Sequence, residues 1–279
     1  MGVDITGDIN YYRSTTDGLP PCVVPYSIHT EHRSNLEHVY VRMTLHDLRD
    51  RENNVDLDTN GFEILKYNGN IQEEFAEGSD EQKLYYQEIS DILKQRLSAS
   101  RVIVYNYAFR SRGLLEPDEK PDDSHREPAV YPHVDIAEFA IPQLAEILLG
   151  KEETEKVMKN RVQVINVWRP LGANPITQKP LTICDFQSVD PEKDVHPYTV
   201  QGAKLHGAGL LTSRNAADAH KWYYLSRMQS NEMYAFKMAD TNHDVARFAC
   251  HTAFNNENEP IPNEKQTSVE VRCLVLYDE

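Results

Sequence analysis

Tyr131-Pro132-His133-Val134-Asp135-Ile136-Ala137 is the stretch from which the fold and chemistry of this chain are best read. Alternate residues of an extended backbone point to the same side. A strand through 133–135 therefore presents an imidazole and a carboxylate together. His251, far downstream, offers a second imidazole. Brought together, the three make a two-histidine, one-carboxylate facial set, the ligand pattern of non-haem Fe(II) oxygenases, which leaves about three coordination positions open.

The spacing alone decides nothing. With 11 histidines and 44 acidic residues among 279, His-x-Asp/Glu occurs three times: His29-Thr30-Glu31, His125-Arg126-Glu127 and His133-Val134-Asp135. Glu31 lies in a polar run, and His125 follows the acidic, proline-bearing run 116–124, which reads as a solvated loop. His133 alone passes from such a loop into a mixed apolar segment, Val134 to Ala140. A loop-to-strand edge is where a scaffold positions a ligand while leaving it open to substrate. The residues taken alone also fit a surface histidine hydrogen-bonded to a carboxylate. His251 sits in the short apolar run Val245–Phe254 and, on strand alternation, shares a face with Ala249 and Ala253, whose small side chains leave room above the ring. A satisfied core histidine is the competing reading there.

Composition narrows the class. The length suits one large domain or two small ones, with a substantial core. A formal charge of −15 argues against nucleic acid and anionic membranes, since no basic stripe is visible. No apolar run nears membrane-spanning length and no charged-then-apolar leader opens the chain, so a soluble, cytoplasmic protein is expected. Cys22, Cys184, Cys250 and Cys273 are scattered with no C-x-x-C spacing, which suggests reduced thiols packed as small hydrophobes.

Strand and helix patterns give the organisation. His38–Leu45 is rich in β-formers. Asp80–Leu97 places Leu84, Tyr85, Ile89, Ile92, Leu93 and Leu97 on one stripe of a helix, with Ser79 and Asp80 as caps. A strand over 100–110 follows, then the acidic loop 111–130, the His133 strand and a second helix over Gln143–Asn160. Short strands then run to the end: 162–169, 181–184, 222–225, 233–238, 248–254 and 268–277. Few helices and many short strands predict a β-rich α+β barrel or sandwich, with the two histidines on separate strands.

Several ordered strings carry a family resemblance: His46-Asp47-Leu48-Arg49, Leu57-Asp58-Thr59-Asn60-Gly61-Phe62-Glu63, the His133-x-Asp135 segment, and Asn166-Val167-Trp168-Arg169-Pro170-Leu171. They continue with Pro180-Leu181-Thr182-Ile183-Cys184-Asp185, Lys221-Trp222-Tyr223-Tyr224, Ala235-Phe236-Lys237-Met238-Ala239-Asp240, His251-Thr252-Ala253-Phe254 and Ser268-Val269-Glu270-Val271-Arg272. From about residue 38 onward the chain resembles the fungal hydroxylase/desaturase family of Fe(II)- and 2-oxoglutarate-dependent oxygenases. That family includes the aspergillic-acid pathway hydroxylase, gibberellin-desaturase-like proteins and relatives of the cephamycin methoxylation protein. The resemblance implies a double-stranded β-helix (jelly-roll, cupin-like) flanked by helices. It implies one oxygenase domain over 1–279, with strands and a helix of 1–100 packing on a barrel core of 100–279.

The resemblance further implies iron held by His133, Asp135 and His251, with 2-oxoglutarate and dioxygen as co-substrates. The reaction expected is hydroxylation, desaturation or oxidative cyclisation of a small, amino-acid-derived or other metabolite in fungal secondary metabolism. A cation must hold the distal carboxylate of 2-oxoglutarate, and Arg272 is the first candidate because a guanidinium offers two parallel hydrogen bonds. Strand parity puts Ser268, Glu270 and Arg272 on one face, so Ser268 can add a hydroxyl. Many enzymes of this fold carry Arg-x-Ser on the last strand, whereas this chain has Gln266-Thr267-Ser268. Arg169 is the rival cation. Arg110 and Tyr107 are candidate substrate contacts, Tyr105 and Tyr107 being expected to face one way. The missing arginine keeps two other readings open: an iron dioxygenase that does not use 2-oxoglutarate, and a non-catalytic β-barrel that binds a small molecule.

Overall fold

The computed structural model describes residues 2–24, 28, 30, 33–112, 125–201 and 208–277. Its early strands are β1 (Ile5–Thr15), β2 (Cys22–Val23), β3 (Leu36–Asp47), β4 (Phe62–Lys66) and β5 (Arg101–Arg112). They continue with β6 (His125–Arg126), β7 (His133–Val134), β8 (Val162–Leu171), β9 (Leu181–Cys184) and β10 (Val195–Val200). The last are β11 (Ala208–Thr212), β12 (Trp222–Tyr224), β13 (Glu232–Asp240), β14 (His251–Ala253) and β15 (Gln266–Leu276). The helices are α1 (Asp80–Leu97), α2 (Ile141–Leu149) and α3 (Lys151–Val157).

Nine strands form one sheet in the order β1-β3-β12-β9-β14-β7-β11-β10-β2, and six form another in the order β4-β13-β8-β15-β5-β6. Side-chain alternation along the six-stranded sheet feeds two separate cores. One face sends Val164, Trp168, Phe236 and Leu274 against Ile9, Leu45, Ile183 and Trp222 of the nine-stranded sheet. The other sends Ile165, Val167, Val269 and Val271 against Tyr85, Ile89 and Leu93 of α1. Two facing sheets with helices outside are the jelly-roll arrangement expected from the sequence.

The helix read from the pattern forms over the expected residues. Ser79 Oγ accepts a hydrogen bond from the Gln82 amide at 3.1 Å, and Ser98 ends the helix in the left-handed region at φ 54°. The second expected helix is interrupted. Gly150, at φ 81°, breaks 143–160 into α2 and α3, a turn that a side chain would oppose. The sequence pattern does not mark β1, β2, β4, β6, β10 or β11. The β1 sequence Ile-Thr-Gly-Asp-Ile-Asn-Tyr-Tyr mixes polar and β-forming residues as an edge strand does.

One irregularity redirects an entire half-strand. Along β5 and β15, Arg272 pairs with Asn106 and Cys273 with Val104, so Tyr105 is an extra residue. Before this bulge, Val102 and Val104 face α1 and Ile103 faces the other sheet; beyond it, Tyr107 and Phe109 face α1. Tyr105 packs toward the nine-stranded sheet. The expectation that Tyr105 and Tyr107 share a face is therefore corrected: the bulge restarts the alternation and turns Arg110 and Arg112 toward the space between the sheets.

Candidate metal centre and active site

His133 and His251 stand on neighbouring antiparallel strands of the nine-stranded sheet and are direct register partners. Their ring centroids lie 4.4 Å apart. On the far side of β7, Gly209 lets β11 approach closely, since a Cβ there would meet the Val134 carbonyl at 2.6 Å and the Tyr198 ring at 2.4 Å.

The tautomer of each imidazole is set by its backbone. His133 Nδ1 lies 2.9 Å from the Tyr131 carbonyl oxygen and His251 Nδ1 lies 3.2 Å from that of Ala249. A carbonyl only accepts, so both Nδ1 atoms donate and both Nε2 lone pairs are left bare. Burial pushes the His251 pKa down to about 3, with the neighbouring His133 adding to the effect. The ring therefore stays neutral, as a metal ligand must.

Asp135 splits its two oxygens between two jobs. Oδ2 accepts from Asn166 Nδ2 at 2.8 Å and from Arg272 Nε at 3.1 Å, both reaching across from the six-stranded sheet. Oδ1 faces His133 Nε2 at 3.4 Å. Burial alone would raise this carboxyl, but the Arg272 charge holds it well below the usual carboxylate range. Ligand atoms of His133, Asp135 and His251 all lie within 4.8 Å of one another. Two bare imidazole nitrogens and one carboxylate oxygen, each oriented by a partner on its other atom, fit a divalent iron ion.

The other expected residues divide. Arg272 is committed: Nη1 donates to Asn106 Oδ1 at 2.6 Å and Nη2 to Glu270 Oε1 at 2.9 Å, besides its contact with Asp135. Burial lowers its pKa but Asp135 and Glu270 outweigh that and raise it. Its Nε and Nη2 are taken up by carboxylates of the protein itself, and it ties Asp135 to the six-stranded sheet. Arg169 faces the wrong way. Its odd position on β8 turns it toward α1, where it stacks 3.8 Å from the Tyr67 ring centroid and 5.0 Å from that of Tyr85. Its donors go to Tyr85 Oη and to the Ile71, Pro170 and Ser230 carbonyls. Tyr107 packs behind the sheet on Phe75 and Phe109. Arg110 does line the cleft above the histidines, and Ser268 is buried beside it. Of the other His-x-acid pairs, His29 and Glu31 lie outside the described residues.

A small cleft opens over the two histidines. His133, His251, Trp168, Glu270 and Thr252 line it, and so does Arg112. Parity through the bulge and the register with β15 are what expose Arg112, and neither is written in the local sequence.

A family model described as oxidoreductase/YMDC permease-like domain matches residues 9–276. A relative named hydroxylase/desaturase efuI, from Hormonema carpetanum, is 29% identical over 97% of this chain and 94% of its own length. The alpha-ketoglutarate-dependent dioxygenase phiK, from a fungal species, is 26% identical over 96% of this chain and 95% of its own. Among solved structures, a variant of the iron and alpha-ketoglutarate-dependent endoperoxidase NvfI superposes with a TM-score of 0.82. It is 22% identical, covering 100% of this chain and 99% of its own, which shows the fold. The fold and the two-histidine, one-carboxylate set have the form of a non-haem iron site, and the relatives that match nearly the whole chain carry the names of hydroxylases, desaturases and alpha-ketoglutarate-dependent dioxygenases. The chain belongs to the oxidoreductase/YMDC permease-like domain family.

Proposed function

We propose that this chain holds Fe(II) through His133 Nε2, His251 Nε2 and Asp135 Oδ1 and oxidises a small metabolite by hydroxylation, desaturation or cyclisation. The observation that carries this is the state of the three ligand groups: both Nδ1 atoms are spent on carbonyls and Asp135 Oδ2 is spent on Asn166 and Arg272. One donor atom per residue is left, and all three donors face one another.

The chemistry that iron, 2-oxoglutarate and dioxygen supply in such a site is removal of a substrate hydrogen atom, coupled to decarboxylation of the keto acid to succinate. The protein's share is orientation and exclusion. Arg272 and Asn166 tie Asp135 to the opposite sheet, and Glu270 balances the Arg272 charge. Pro128, Ala129 and Ala253 are small walls that leave space over the histidines for a compact substrate. Arg110 lends the cleft mouth a positive charge that suits a substrate carboxylate, in keeping with an amino-acid-derived metabolite. Cys22, Cys184, Cys250 and Cys273 are all free, which supports a reducing, cytoplasmic address. Among the described residues no helix is long and apolar enough to cross a membrane.

The test is anaerobic addition of Fe(II) and 2-oxoglutarate, which should produce the weak visible charge-transfer band of a keto-acid chelate. Admission of air with candidate metabolites should then release succinate. His251→Ala should lose the band and bind iron more weakly by more than the roughly 10–100-fold that outer-shell changes cost. Oxygen uptake without succinate would replace this reading with a dioxygenase that does not use 2-oxoglutarate.

A further inference from the structure

Arg112 is a buried guanidinium with one edge engaged and one edge open. Nε donates to the Lys179 carbonyl at 3.1 Å, and Nη1 donates to the Arg110 carbonyl at 3.3 Å and to Ser268 Oγ at 3.0 Å. Among the described residues Nη2 has no hydrogen-bond partner, and no carboxylate pairs with the group. Its plane lies by Trp168, the Cζ atom 5.5 Å from the ring centroid. Only 4% of the residue is exposed, and what it borders is the cleft shared with His133 and His251. A buried charge without a counter-charge is costly, and here burial first and the like charge of Arg110 second both lower the pKa of the group. An anion in the cleft would relieve both.

Register explains why this arginine is the one. Arg112 on β5 is the direct cross-strand partner of Gln266 on β15, and Gln266 stands where Arg-x-Ser would place its cation. Gln266 is itself occupied: its Oε1 accepts from the Thr177 and Gln178 amides at 3.1 and 3.2 Å, and its Nε2 donates to Thr177 Oγ1 at 2.8 Å. The glutamine braces a turn, and a guanidinium reaches the same hydroxyl, Ser268, from one strand over.

We propose that Arg112, assisted by Ser268, binds the distal carboxylate of 2-oxoglutarate, supplying from β5 the charge that β15 lacks at Gln266. This rests on the iron and 2-oxoglutarate reading above. Ser268 assists by accepting from Nη1 and holding the guanidinium in place, the open Nη2 edge meets the carboxylate, and the keto-acid end then extends toward His133 and His251.

The experiment titrates 2-oxoglutarate anaerobically into Fe(II)-loaded wild type, Arg112→Lys, Arg112→Ala and the double variant Arg112→Ala/Gln266→Arg, reading the visible charge-transfer band. Each protein is also titrated with 2-oxobutyrate, which keeps the keto acid but lacks the distal carboxylate. Losing a desolvated charge pair should weaken 2-oxoglutarate binding about 100-fold in Arg112→Ala. Binding of 2-oxobutyrate should change by less than about 3-fold, so the preference between the two keto acids collapses. Returning the charge to β15 in the double variant should recover at least about 10-fold of the affinity. An unchanged preference in Arg112→Ala overturns the proposal, as does an equal loss of both keto acids. Should that variant not fold, Arg112→Lys decides: a retained charge with altered fork geometry must still narrow the preference, and an unaltered one overturns the assignment. Wild type that binds Fe(II) but neither keto acid would instead reject the underlying function, so the two failures are distinct.

Discussion

Arg112 and Arg169 are both buried in the six-stranded sheet and, among the described residues, neither pairs with a carboxylate, yet the two faces treat them differently. On the α1 side, Arg169 is sandwiched against Tyr67 and Tyr85, and its donors end on three carbonyls and a phenol. On the cleft side, Arg112 leaves Nη2 unengaged. Burial of a charge therefore does not distinguish a structural arginine from a binding one. What distinguishes them is whether donors remain after the protein's own acceptors are counted.

That contrast can be broken at graded cost. The largest effect is expected in the closed charge cluster around Asp240, which accepts from Gln163 at 2.8 Å and pairs with Arg161 at 2.6 Å and Lys237 at 2.7 Å. Burial alone would raise this carboxyl, but Arg161 and Lys237 hold it below its ordinary 3.8. A depressed folded pKa means the stabilisation is present above 3.8 and is lost as pH falls through the folded value. Asp240→Asn should cost about 3–5 kcal/mol in urea unfolding at pH 7 by leaving Lys237 short of a counter-charge. The gap from wild type should narrow on acidification toward the folded pKa. Next comes Arg169→Met, which strands buried carbonyls and should lower stability by about 3 kcal/mol, with 2-oxoglutarate affinity unaltered. A loss of co-substrate affinity there would erase the contrast with Arg112. Arg272→Ala should weaken Fe(II) binding about 10–100-fold in anaerobic titration, as orienting partners do, while sparing the preference for 2-oxoglutarate over 2-oxobutyrate. The smallest effect belongs to Tyr105→Phe. The Tyr105 hydroxyl is buried without a partner, so its removal should leave unfolding stability within about 0.5 kcal/mol of wild type or above it.

How much of this the sequence discloses depends on the range of the causes. The α1 helix is local in origin, a stripe and a cap, and its bounds are legible residue by residue. The His133-x-Asp135 pair is legible because a loop-to-strand transition lies within a few residues. His251 is legible as a candidate, though not as the register partner of His133, since that needs the order of the nine-stranded sheet. Arg272 lies on the expected face but is claimed by Asp135, a contact made between sheets. Arg169 and Tyr107 face α1 and not the cleft for a common reason: facing depends on sheet pairing, and strands with β-formers on both faces give no sign of which core each side will meet. Gly150 is a local signal of the break between α2 and α3.

The extra residue at Tyr105 makes the outer half of β5 a hinge in sequence space. Shortening the strand there by one residue would exchange its two sides, carrying Arg110 and Arg112 under the helix and turning Tyr107 and Phe109 over the histidines. A charged mouth would become an aromatic one, from a change that touches neither a ligand nor the cleft wall directly. Length at this point, more than the identity of any one side chain, decides which kind of molecule the opening can admit.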